Sequence, residues 1–185
     1  MNQAPRTAMG ALPVIIFYSL MGGIACAIAW ARRGQLPIVL PDRELATALT
    51  SASVGLGVAV LVHGASEILE RVFEWARTLR AGMQRMIGEL TLGRAAIYAF
   101  FSAVGEELLF RGLLLAEFGL VISSVLFGAM HIGPDRSYLP WTLMATLTGF
   151  LFGGITLYTG DITAAVLAHM TINYAGFVSM LGQKD

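Results

Sequence analysis

Charge is what this sequence has least of. Only 13% of its 185 residues are Asp, Glu, Lys or Arg, against 56% hydrophobic, and the mean hydropathy is +0.71. A soluble domain of this size carries more polar surface than that, so the composition places the chain in a bilayer. Lysine is reduced to one residue beside eleven arginines, a bias that points toward GC-rich bacterial coding. Formal charge sums to zero, so nothing suggests a nucleic-acid partner. Cysteine is limited to Cys26, so no disulfide can close within the chain and a packing role is the default. There is no HExxH helix, no internal repeat, no low-complexity tract and no soluble domain.

Uncharged runs, by contrast, are long. Crossing about 30 Å of hydrocarbon takes about 20 helical residues. Met9 to Ala31 is the clearest run, followed by Leu45 to Ser66, Leu139 to Gly160 and Ile162 to Gln183. Ala95 to Leu115 contains three charges, and Phe118 to Pro134 is uncharged but short. The sequence therefore predicts an all-α, polytopic bundle of six spans. "AIAWA" ends the first run like a signal cleavage site, but the run is too long for a signal's apolar region and reads as a retained anchor. Assigning Arg6, Arg71, Arg77, Arg80, Arg85, Arg94, Arg136 and Lys184 to one side and Arg32, Arg33 and Arg43 to the other puts both termini in the cytoplasm.

In "EILERVFEWARTLRAGMQRMIGEL", Leu69, Val72, Ala76, Leu79, Met83, Met86 and Leu90 recur every three to four residues among Glu and Arg. That is the pattern of an amphipathic helix lying on the membrane surface among the lipid headgroups. Pro37 and Pro41 break "RRGQLPIVLPDRE" into a surface connection. Gly149 and Gly153 form a GxxxG suited to close helix packing.

The charges inside "AVGEELLFRGLLL", Ala103 to Leu115, need an explanation, because each costs roughly 2.5 to 3.5 kcal/mol near a bilayer centre. Glu107 and Arg111 are four apart on one helix face and can pair. Glu106 diverges from them by about 100°. It must take up a proton, face a wet cavity, or meet a polar group from another span. Few are available: His63 in the second span, His131 at the end of the fourth, and His169 with Asn173 in the sixth. His63 alone reads as a packed, hydrogen-bonded residue. His169 and Asn173 share a face and can donate to one atom. A carboxylate, a histidine and a His–Asn pair on separate helices form a catalytic constellation.

"EELLFR" from Glu106 fits EExxxR, "FGAMH" from Phe127 fits FxxxH, and "HMTIN" from His169 fits HxxxN. Together these resemble the CAAX-protease and bacteriocin-processing family of intramembrane endopeptidases, over Arg94 to Met180. The resemblance implies a single membrane domain with variable helices and linker in 1–92 and catalytic helices in 93–182. It implies that Glu106 and His131 hold and deprotonate a water that attacks the peptide carbonyl of a membrane-anchored protein or peptide. His169 and Asn173 then stabilise the oxyanion, and Glu107 with Arg111 braces the helix.

Glu106, His131 and His169 are also three ligands that zinc accepts, with a fourth position open for water. That alternative needs a further base, and Glu107 is the nearby carboxylate. The metal-free mechanism is the reading preferred here, with no cofactor. A non-catalytic carrier, immunity or scaffold protein is the other class of function. Transport favours paired half-sequences with broken helices, which this chain lacks.

Overall fold

The computed structural model describes residues 10–37 and 45–181. Arg6, Pro41, Arg43 and Lys184, and the outer ends of the first and last expected spans, lie outside the described residues. The described chain is helical throughout: α1 (Ala11–Arg33), α2 (Leu45–Val72), α3 (Glu74–Ile87), α4 (Leu92–Glu107), a π-helical segment (Leu108–Leu114), α5 (Leu115–Ala129), a 3-10 turn (Arg136–Tyr138), α6 (Leu139–Thr159) and α7 (Thr163–Ser179). The all-α membrane bundle expected from the sequence is what forms.

Among the described residues, four helical segments are long and apolar enough to cross a membrane: Ala11–Arg33, Leu45–Val72, Leu92–Ala129 and Arg136–Thr159. The third holds two of the expected spans in one helical run, interrupted at Gly119, whose φ of 79° and ψ of 176° only glycine adopts without strain. Beyond that point α5 folds back on the π segment: Ser123 Oγ donates to Phe110 O at 2.8 Å, and the Phe110 and Phe127 rings meet edge to face at 5.0 Å. α7, at 17 residues, completes the bundle.

Large apolar side chains point outward. Leu12, Phe17, Leu20 and Ile24 on α1 and Leu56, Val60 and Leu61 on α2 are all exposed, whereas Ala, Gly and Ser dominate the contacts between helices. Lipid tails are as apolar as leucine, so helices in a membrane associate through close packing of small residues. At Gly55 a Cβ would lie 2.5 Å from Ala164 O, so α2 and α7 touch through backbone. Ser51 Oγ, one turn away, donates to Asp161 Oδ2 at 3.0 Å. Gly149 approaches Ser124 of α5 in the same manner, and Gly153 faces Leu120, so the GxxxG packs helices as expected.

A pair of substitutions tests this packing. Gly55→Ala should lower the thermal midpoint in detergent, by an amount corresponding to about 1–3 kcal/mol of overpacking. Gly57→Ala, where a Cβ meets nothing within 4 Å, should raise it slightly through helix propensity. Equal effects at the two positions would remove the close α2–α7 contact from the account.

The amphipathic helix is shorter than its sequence pattern. Leu69 and Val72 belong to α2, which runs on to Val72, and the break falls at Phe73 (φ −115°, ψ 132°). The 3.6-residue period continues across this joint because both helices keep an apolar face toward the same interior. α3 then lies at one end of the bundle: Ala76, Leu79 and Gly82 are buried, and Tyr138 sits against Gly82. Arg80 donates to Ser179 O, and Gln84 Nε2 to Met180 O at 3.4 Å. At the opposite end, Arg33 reaches Gly112 O at 2.7 Å and Arg32 pairs with Glu117 at 2.8 Å. Arg32 and Arg33 thus lie at the end of the bundle opposite Arg80.

Candidate active site

α4 carries Glu106 about 21 Å of helix beyond Leu92, well inside the apolar layer. Glu106 is 8% exposed and Glu107 fully buried. The chain then widens into π winding from Leu108, a feature that recurs at functional sites. π winding displaces carbonyls from ordinary helix bonding, and here two find other donors, Phe110 O from Ser123 and Gly112 O from Arg33. Across this winding Arg111 still turns back to Glu107, with Nη1 3.1 Å from Oε1, and Nη2 donates to Gly149 O at 3.1 Å. Its guanidinium lies 4.2 Å from the centre of the Phe127 ring. The GxxxG therefore has a second consequence, since close approach of α6 brings a backbone carbonyl to a buried cation.

The expected pairing of Glu107 with Arg111 is present, but Glu107 does more than brace a helix. His169 Nδ1 donates to the same Oε1 at 2.7 Å. In the turn just beyond α5, His131 Nδ1 donates to Phe127 O at 2.7 Å, the i to i−4 reach that FxxxH provides. With both Nδ1 atoms committed, both Nε2 atoms are turned toward Glu106. His131 Nε2 lies 3.7 Å and His169 Nε2 3.9 Å from Glu106 Oε2, an oxygen that is buried and has no hydrogen-bond partner. These separations exceed hydrogen-bonding distance and leave room for a water held off the line between them.

His169 and Asn173 share a face as predicted but do not share a partner. Asn173 Nδ2 donates to Ser102 Oγ at 3.0 Å, because His169 is drawn to α4 by Glu107 one turn earlier. Ser102 was not anticipated, although it stands four residues before Glu106 and therefore on its face. Tyr18 was missed entirely: its backbone and Cβ pack against Gly105, the residue before Glu106, and nothing in the sequence around Tyr18 points to a contact three helices along the chain.

A cavity of 230 Å³ opens onto this cluster. His131, His169 and Asn173 line its inner end. Val62, Trp75, Leu79 and Met83 of α2 and α3 line the rest, and Glu67, Glu70 and Arg80 stand at its rim. Glu106 is not a lining residue; it meets the cavity through the two imidazole edges. His63 also lines the wall, half-buried. Among the described residues no group of three His, Cys, Asp or Glu side chains is arranged as a ready-made metal site.

Two carboxylates against one guanidinium leave a single negative charge in this buried cluster when both imidazoles are neutral, and one added proton balances it. Burial without that balance is costly.

Comparison with known proteins bears on the same segment. Residues 88–175 match the family described as type II CAAX prenyl endopeptidase Rce1-like, a span that includes Glu106, His131, His169 and Asn173. This segment resembles an Rce1-like domain. The chain is also 29% identical over 122 residues to the uncharacterised protein YpbD of Bacillus subtilis strain 168, a match covering 64% of this chain and 63% of that one. No solved structure matches the chain. The Rce1-like description is that of a peptidase, and the apolar helices make this chain a membrane protein. Tyr18, His63 and the whole of α3 fall outside the matched residues.

Proposed function

We propose that the chain is an intramembrane endopeptidase that hydrolyses a peptide bond of a membrane-associated protein or peptide with water activated by Glu106 and His131. The observation that carries this reading is the convergence of His131 Nε2 and His169 Nε2 on an unpartnered Glu106 oxygen, at 3.7 and 3.9 Å, at the inner end of a cavity. Water held there attacks the scissile carbonyl, and its proton passes to the Glu106 and His131 pair. His169 turns Nε2 toward the same point while its Nδ1–H is engaged by Glu107, and a proton carried on Nε2 makes that edge a donor. The tetrahedral oxyanion takes this donor together with the second N–H of Asn173, the first being used by Ser102. Proton return to the amine nitrogen then breaks the C–N bond.

The metal-free reading is favoured by the position of Glu107. With zinc on Glu106, His131 and His169, the remaining carboxylate would have to accept the water's proton. Glu107 is fully buried and held by Arg111 and His169.

The arginine-rich end formed by α3, the Arg136 turn and the α7 terminus is assigned to the cytoplasm of a bacterial inner membrane, and the cavity rim faces that side. Purified protein should cleave a membrane-anchored peptide library and should continue to do so after exhaustive chelation. Stoichiometric zinc whose removal stops turnover and whose return restores it would convert the three side chains from base and donors into ligands. If no anchored peptide is cut, a membrane binding protein becomes the better reading.

A further inference from the structure

The π-helical run Leu108–Leu114 begins directly after Glu107 and has Arg111 at its centre. π winding is rare and mostly limited to a single turn inside an α-helix, so a run of seven residues needs holding from outside. We infer that Arg33, at the end of α1, is a positioning residue for the site: with Ser123 of α5 it holds the π winding that turns Arg111 onto Glu107 and, through Glu107, fixes His169. This rests on the peptidase reading only where turnover is concerned.

Both donors land on the two residues that flank Arg111. Arg33 Nη2 donates to Gly112 O at 2.7 Å, across 79 residues of chain, and Ser123 Oγ donates to Phe110 O at 2.8 Å. Phe110 O also accepts the Leu115 N–H, five residues on, which is the bond of π winding. In α winding that N–H would bond to Arg111 O instead. A guanidinium on a carbonyl makes a charge-assisted bond, stronger than one between neutral groups, and suits a carbonyl that irregular winding leaves in need of a partner.

The approach of α1 is built into the same segment. Gly112 is buried, and a Cβ there would stand 2.6 Å from Pro37 Cβ, so glycine lets the chain beyond α1 close over the π turn. Ala25 and Ala29, both fully buried, pack with Leu113 and Leu109. All of these α1 contacts come from outside the matched residues 88–175.

From Arg111 the connection to the reacting groups is short. Nη1 donates to Glu107 Oε1 at 3.1 Å, Nη2 donates to Gly149 O at 3.1 Å, and the same Glu107 oxygen receives His169 Nδ1 at 2.7 Å. Relaxation to α winding changes the number of residues per turn between Glu107 and Arg111, and so moves the guanidinium off one of its two acceptors. His169 Nε2, 3.9 Å from Glu106 Oε2, then loses its aim. The N-terminal half consequently supplies part of the active-site support.

Arg33→Met keeps an unbranched stem and removes the donor, and because Arg33 is exposed the change strands no buried charge. Its kcat should fall by roughly 10- to 100-fold, the range for a partner that orients a reacting group, with KM within about twofold of wild type, since Arg33 stands at the end of the bundle opposite the cavity rim. Arg33→Lys, which keeps a donor, should recover most of that loss. Arg32→Met removes the same charge from the same end but breaks only the surface pair with Glu117, and should turn over as wild type. The chain has three histidines, so a magnetic resonance spectrum of isotope-labelled histidine in detergent resolves His169, assigned by its loss in His169→Gln. That signal should shift in Arg33→Met and in Ser123→Ala and stay in place in Arg32→Met. An unshifted signal in Arg33→Met, or kcat at the wild-type value, overturns the inference, as does an equal loss in Arg32→Met or a loss confined to yield or to KM. Should the wild-type protein cleave nothing, the peptidase reading alone fails, and the His169 signal still decides whether Arg33 acts on the site.

Discussion

Glu106→Gln should give a folded, membrane-extractable protein that cleaves no peptide. The substitution keeps the volume of the side chain, so the packing of α1 on α4 at Gly105 survives. What disappears is the group that receives the proton of the attacking water. General base removal typically costs 10²- to 10⁴-fold, enough to place turnover at the background of a slow membrane protease assay. Stability should hold or rise, because the variant removes the carboxylate whose Oε2 is buried without a partner, and a buried charge lacking hydrogen bonds is a cost to the fold. A variant that loses yield as severely as substitutions at Glu107 or Arg111 would show Glu106 to be structural. Retained cleavage would move the base elsewhere in the cavity, with His63 the first residue to test.

Much of this site is legible in the sequence because helical periodicity is rigid. The i to i+4 relation brings Glu107 to Arg111 and Phe127 O to His131 Nδ1 without any tertiary information. It also separates Glu106 from that pair. Periodicity fails where the answer depends on which helix stands next to which. His169 and Asn173 share a face, but whether they share a partner is set by α4, which offers Glu107 to one and Ser102 to the other. Tyr18 is invisible for the same reason: one aromatic among many on a lipid-facing helix is distinguished only by its glycine contact with Gly105. The joint at Phe73 is hidden by a different effect, since an apolar face that continues through a bend looks like one helix.

Arg111→Met should cost more folded protein than any other single change near the site. The guanidinium is 3% exposed, bonds to Glu107 and Gly149 O and covers the Phe127 ring. Its loss leaves Glu107 as a buried carboxylate with only His169 for company, a situation that costs on the order of 3 to 5 kcal/mol. Glu107→Leu strands Arg111 in the same way. Combining the two removes both charges together, and pairs replaced as a unit are tolerated far better than either half alone, so the double variant should recover much of the yield. It should not recover cleavage. Without Glu107, His169 loses the acceptor for Nδ1–H and with it the orientation and charge that make Nε2 a donor to the oxyanion, a contribution whose removal costs about 10²- to 10³-fold in kcat. Glu107→Gln separates the two duties further. Its amide oxygen can still accept from His169 and Arg111, so folding should suffer less than in Glu107→Leu. The acceptor for His169 Nδ1–H, however, is then a neutral amide, and the charge-assisted bond that orients the imidazole weakens. Turnover should therefore drop in a protein that purifies nearly as well as wild type. Cleavage returning in step with yield in the double variant would reduce Glu107 to a purely structural residue and leave the orientation of His169 to Phe127 and Phe152, whose rings lie 5.8 and 5.4 Å from it.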